Sequence, residues 1–120
     1  MFKKIISCGT LKSLLKMDRI EKLVKFLNEN PNDSFLKHAL ALEYVKAGND
    51  AQAEEAFKEI LKDREDYVGS YYHLGKLYER RGEEQRAIDI YAKGMEMAKA
   101  ADDNHSFNEL RSAWEDMNGM

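Results

Sequence analysis

Three histidines, one cysteine and a few paired acids are the residues whose types could carry chemistry in this sequence. His38, His73 and His105 would serve as metal ligands or general bases only with a second ligand or an orienting carboxylate at a fixed spacing. The sequence has no HExxH run, no acid placed as an orienter and no second cysteine. No metal site and no cofactor is expected, and the histidines read as packed or solvated side chains. Cys8 cannot form an intramolecular disulfide or a thiolate cluster by itself. As a nucleophile it would need a base, and its neighbours offer only lysines at a distance. Glu54-Glu55 and Glu83-Glu84 fit solvated helix faces and helix N-termini, where negative charge is favoured. Glu115-Asp116 lacks the spacing of a calcium loop. There is no glycine-rich phosphate loop, so the sequence is expected to be non-enzymatic.

Composition points to a soluble helical chain. The 120 residues are 43% hydrophobic and 34% charged, with one proline, which suits a single globular domain rich in helix formers. The net charge of −3 hides an asymmetry: Lys3, Lys4, Lys12 and Lys16 stand in residues 1–16 without an acid. The body is therefore mildly acidic, which argues against nucleic acid, whose phosphates need a basic face. No apolar run is long enough for a membrane span. Ile5-Ile6-Ser7-Cys8 looks like a lipoprotein cleavage box. Ile5 and Ile6 are the only apolar residues between the lysines and Cys8, whereas a signal needs about 7–15 apolar residues. Residues 1–16 are therefore expected to be a basic, poorly ordered lead, with Leu11, Leu14 and Leu15 docking on the first helix. Met17 is a candidate alternative start. A single cysteine suits a reducing cytoplasm.

Six segments have the apolar spacing of helices. The first holds Ile20, Leu23, Val24 and Leu27 behind Asp18 as an expected N-cap, and stops before Pro31. The second runs from about Ser34 to Ala47 and ends at Gly48, the third from about Ala51 to Lys62. The fourth runs from about Tyr67 to Arg81 before Gly82, the fifth from Glu83 to about Ala100. The sixth carries Phe107, Leu110, Trp114 and Met117. No stretch alternates as a strand would, so the fold class is all-α.

Residues 34–67 laid over 68–101 match without a gap at an offset of 34. Leu40 falls on Leu74, Tyr44 on Tyr78, Gly48 on Gly82 and Ala53 on Ala87, while Ala41 meets Gly75 and Phe57 meets Tyr91. Small residues mark close approach of two helices, and the large rings fill the gap to the next pair. Tyr71-x-x-Leu74-Gly75-x-x-Tyr78 followed by Ala87-x-x-x-Tyr91 resembles the tetratricopeptide repeat family. Lys37-x-x-Leu40-Ala41-x-x-Tyr44 with Ala53-x-x-x-Phe57 repeats it. Lys37 and Tyr71 depart from the family's tryptophan, and Glu65 and Lys99 from its proline. Pro31 and Leu23 place the first helix, 18–31, as the second half of a degenerate repeat. A further step of 34 onto His105, Asn108, Glu109 and Ser112 fails, so 103–117 is read as a capping helix. The resemblance implies a right-handed superhelix of antiparallel helix pairs over residues 17–117.

In that family the concave groove holds a peptide or a partner helix, which implies a scaffold or adaptor. Counting outward from the packing residues, the groove candidates are Phe35, His38, Leu42 and Val45, then Gly69, Tyr72, Lys76 and Arg80. Apolar anchors beside Lys76 and Arg80 suggest a ligand of some acidic character. The lysine–asparagine clamp that some members use on carboxylate tails is absent, because His38, Leu42 and His73 stand in its places. The alternative is a self-assembling structural protein, a homodimer for instance, pairing through residues 11–15 or the Trp114 face.

Overall fold

The structure, a computed structural model, describes residues 8–119, with side chains from Arg19 onward. Helix formers dominate, and six helices result: α1 (Cys8–Glu29), α2 (Ser34–Lys46), α3 (Asp50–Asp63), α4 (Gly69–Arg80), α5 (Glu84–Ala100) and α6 (Asn104–Met117). Among the described residues there is no strand.

The turns follow from particular residues. The carboxylate of Asp33 accepts the amide of Leu36 at 3.1 Å and starts α2. Asp103 does the same for α6, accepting Ser106 N at 3.0 Å and its hydroxyl at 2.8 Å. Gly48 and Gly82, at φ 78° and 77°, take the left-handed conformation that closes α2 and α4. Asp18, expected as the first N-cap, lies inside α1, which begins at Cys8. Leu11, Lys12, Leu14, Leu15 and Lys16 all favour helix and no proline interrupts them, so the helix continues toward the N-terminus. The three leucines thus belong to α1 and do not dock on it. The expectations for residues 1–7 lie outside the described residues.

Consecutive helices pack on one another. In addition α2 touches α4 and α4 touches α6, whereas the backbones of α1, α3 and α5 stay apart. The result is an inner wall of α2, α4 and α6 and an outer row of α1, α3 and α5. The molecule is elongated, 59 × 30 × 20 Å.

Pair packing uses the small–large order. Ala41, Ala53, Phe57, Ala87 and Tyr91 are all fully buried. A Cβ at Gly75 would lie 2.6 Å from Tyr91 Cδ1, so only glycine lets that ring rest on α4. The Tyr91 hydroxyl then donates to Glu79. A Cβ at Gly94 would lie 2.6 Å from Tyr71 Cβ and 3.0 Å from Leu110 Cδ1.

The last helix repeats the inner-helix pattern at a different offset. Phe107, Leu110 and Trp114 stand 36 residues after Tyr71, Leu74 and Tyr78, and buried Ala113 likewise follows buried Leu77. The reason is α5, which has 17 residues against 14 in α3. Its extra length displaces the next inner helix along the sequence, and a fixed step of 34 misses it.

Polar contacts join the two full helix pairs. Glu54 of α3 accepts from Arg81 at 2.6 Å and from the Tyr78 hydroxyl at 3.0 Å, with Lys58 at 3.2 Å. Burial would raise the Glu54 carboxyl, but Arg81, Tyr78 and Lys58 together hold it down at about 2.

Candidate functional site

The inner wall positions the groove candidates at successive turns of α2 and α4. Phe35 is 70% exposed at the start of α2. Leu42 and Val45 follow on the same helix, half-buried against the core, as is Tyr72 of α4. Lys76 lies over the Tyr72 ring, 5.5 Å from its centroid, and pairs with Glu79 at 3.5 Å. Arg80 pairs with Asp50 at the start of α3. Both basic residues expected to favour an acidic ligand thus already have acidic partners. The expectation overlooked Asp50 and Glu79 because neither belongs to the groove positions counted from the repeat.

His38 joins α2 to α4. Its Nδ1 lies 2.9 Å from the hydroxyl of Ser70, a buried residue of α4. Its ring meets Phe57, Tyr67 and His73 with centroids 5.7, 5.5 and 5.4 Å away. His73 in turn stacks on Phe57 and meets Tyr72 edge-on. Burial, then the neighbouring His73, lower His38 to about 4. Burial also lowers His73, with Glu109 of α6 opposing it. Both rings are therefore neutral near pH 7. Among the described residues no group of three or more His, Cys, Asp or Glu side chains is placed to hold a metal ion. Tyr67 and Ser70 carry no sequence motif that would have announced this cluster; only the two histidines, and Phe57 as a repeat position, stood out.

The fixed step of 34 missed the inner-helix pattern of α6. At the offset of 36, α6 contributes Asn108, Glu109, Ser112 and Asp116 opposite Tyr72, His73, Lys76 and Arg80. Burial, then the bond to Glu79, raises the Tyr91 hydroxyl, with Asp116 the least of the causes, and Glu109 opposes the lowering of His73. The signal was present in Phe107-x-x-Leu110-x-x-x-Trp114, read at the shifted register.

Stacked antiparallel helix pairs around a shared inner wall define a helical-repeat protein. No family model matches the sequence. Two solved structures of a tetratricopeptide repeat domain protein from Salinibacter ruber are each 42% identical. Their TM-scores are 0.72 and 0.70; they cover 75% and 73% of this chain and 91% and 98% of theirs. The chain belongs to the tetratricopeptide repeat family. MamA shares the fold at 18% identity with a TM-score of 0.62, over 93% of this chain and 75% of its own. The mouse interferon-induced protein with tetratricopeptide repeats 3 is 25% identical over 80 residues, 67% of this chain. The chain spans only 20% of that protein's length. No helix among the described residues is long and apolar enough to cross a membrane.

Proposed function

We propose that the protein is a non-enzymatic adaptor that holds a segment of another protein across the concave surface of α2, α4 and α6. In this reading residues 34–67 and 68–101 are the two full repeats, 18–31 the half-repeat before them and 103–117 the closing helix. The observation that carries the reading is the apolar wall of α2. Phe35 stands 70% exposed beside half-buried Leu42 and Val45, and such surface is the usual anchor of a partner. A reducing cytoplasm, suggested by the single cysteine, is the proposed setting.

Self-assembly has one observation in its favour, the exposure of Val24 (39%) and Phe26 (48%) on α1. The test compares the partners that co-purify with wild type and with a Tyr72→Ala, Lys76→Glu double variant, alongside mass in solution. A specific partner lost in the variant, from a protein that stays monomeric, supports the adaptor. Unchanged partners with a concentration-dependent dimer would overturn it.

A further inference from the structure

We propose that the furrow between α3 and α5 is a second docking site. Its occupant is a short acidic segment of another protein, with an apolar side chain between carboxylates. The furrow lies on the outer side of the molecule, so the proposal stands independently of the inner-row reading.

The furrow follows from the repeat. Gly75 lets α5 close onto α4, but the backbones of α3 and α5 stay apart. Between them lies a cavity of about 360 Å3. Tyr71, Leu74 and Tyr78 of α4 form its floor, and half-buried Leu61 and Ile90 its sides. The Tyr71 hydroxyl donates to the backbone oxygen of Glu65 at 2.6 Å, and the Tyr78 hydroxyl to Glu54 at 3.0 Å. With those hydroxyls taken, the floor offers a ligand apolar surface.

A related furrow of about 230 Å3 lies one period earlier, between α1 and α3. Each residue lining it has a counterpart 34 positions on in the lining of the second, Leu61 for Leu27 and Leu74 for Leu40 among them. The charges differ. In the earlier furrow Lys37 is held by Glu59 at 3.8 Å and by Asp63 at 3.5 Å. In the later one Tyr71 stands for Lys37, Lys93 for Glu59 and Lys62 for Asn28. A pair that neutralises itself has become a ring and a cation, with a further cation beside them.

Lys58, Lys62 and Lys93 thus line the furrow against one acid, Glu65. Lys93 lies between Glu65 at 3.2 Å and Glu96 at 3.4 Å. Lys58 reaches Glu54 at 3.2 Å, but Arg81 and the Tyr78 hydroxyl already bind that carboxylate. Lys62 has no ion-pair partner among the described residues. Surplus cations above an apolar floor complement an apolar group flanked by carboxylates, and they repel a cationic segment.

The probe is a fluorescein-labelled hexapeptide with leucine and phenylalanine at its centre and two glutamates on each side. Its analogues carry glutamine or lysine in place of the glutamates. Binding to the full chain is read by fluorescence anisotropy. The glutamate peptide should bind at least about threefold tighter than the glutamine peptide, and the lysine peptide weakest. A Lys62→Glu, Lys93→Gln double variant that stays helical by circular dichroism should lose that preference. The Tyr72→Ala, Lys76→Glu variant of the inner row should keep it. Equal binding of the three peptides, or no binding of the glutamate peptide to the folded protein, would overturn the proposal. Binding that survives the Lys62, Lys93 variant but is lost in the Tyr72, Lys76 variant would also overturn it, and would leave the inner row as the docking surface.

Discussion

Single residues decide how tightly the helix pairs close. Tyr91 rests on α4 only because Gly75 has no side chain, whereas the corresponding pair is Phe57 on Ala41. The protein matches one small step on one helix with one added hydroxyl on the other. Gly75→Ala should destabilise by about 1–3 kcal/mol through overpacking, despite alanine's better helix propensity. Shrinking the ring with Tyr91→Leu should remove much of that penalty, so denaturant titration of the four-member cycle should show strong coupling. Additive effects would mean the two side chains do not meet.

The histidine joint gives a second expectation at this scale. An ordinary histidine takes a proton near 6.5, but His38 in the fold waits until about 4. Between those values the unfolded chain binds the proton and the folded chain does not. Stability is therefore full above about pH 6.5 and falls as pH drops toward 4, by about 1–3 kcal/mol from this group. Glu54 adds a separate loss, from about 4.5 down to about 2, as its carboxylate is protonated. His38→Gln should reduce the decline in the upper part of the profile, leaving the share of His73, which burial also lowers, and should leave the lower part unchanged. An unaltered decline between 6.5 and 4 would place the titration elsewhere. The sequence displayed His38 and His73 at corresponding turns, but not the Ser70 hydroxyl that fixes one ring, since serine carries no pattern of its own.

At the scale of elements, the small–large order made α2 to α5 legible. Ala53 and Ala87 are fully buried where the reading required small residues, and Ala87→Leu should cost about 1–3 kcal/mol. A neutral melting curve for that variant would contradict the packing of α5 on α4. Two features were not legible. Helix α1 runs through Asp18 because a start signal is overridden when the preceding residues also favour helix. Helix α6 hid because the length of α5 is set by where its outer turn ends, and the offset changes with it. The Glu54 cluster couples the elements across repeats. Glu54→Gln keeps one acceptor but loses the charge shared by Arg81, Lys58 and Arg86. Partly exposed pairs contribute modestly, so a loss of about 1 kcal/mol is expected by thermal unfolding. The loss should vanish below pH 2, where the wild-type carboxyl is also neutral.

For the whole molecule, the elongated shape and the separation of inner from outer helices leave α2, α4 and α6 as one inner row. If the groove is the working surface, the isolated protein should be a monomer by sedimentation across a wide concentration range. A dimer dissolved by Phe26→Asp would favour assembly through α1. The most direct measurement is an amide and methyl NMR titration with a partner segment identified by co-purification. The groove account predicts that perturbed resonances concentrate on Phe35, Leu42, Val45 and Tyr72. Perturbations confined to the outer faces of α3 and α5, or to Val24 and Phe26 of α1, would contradict it.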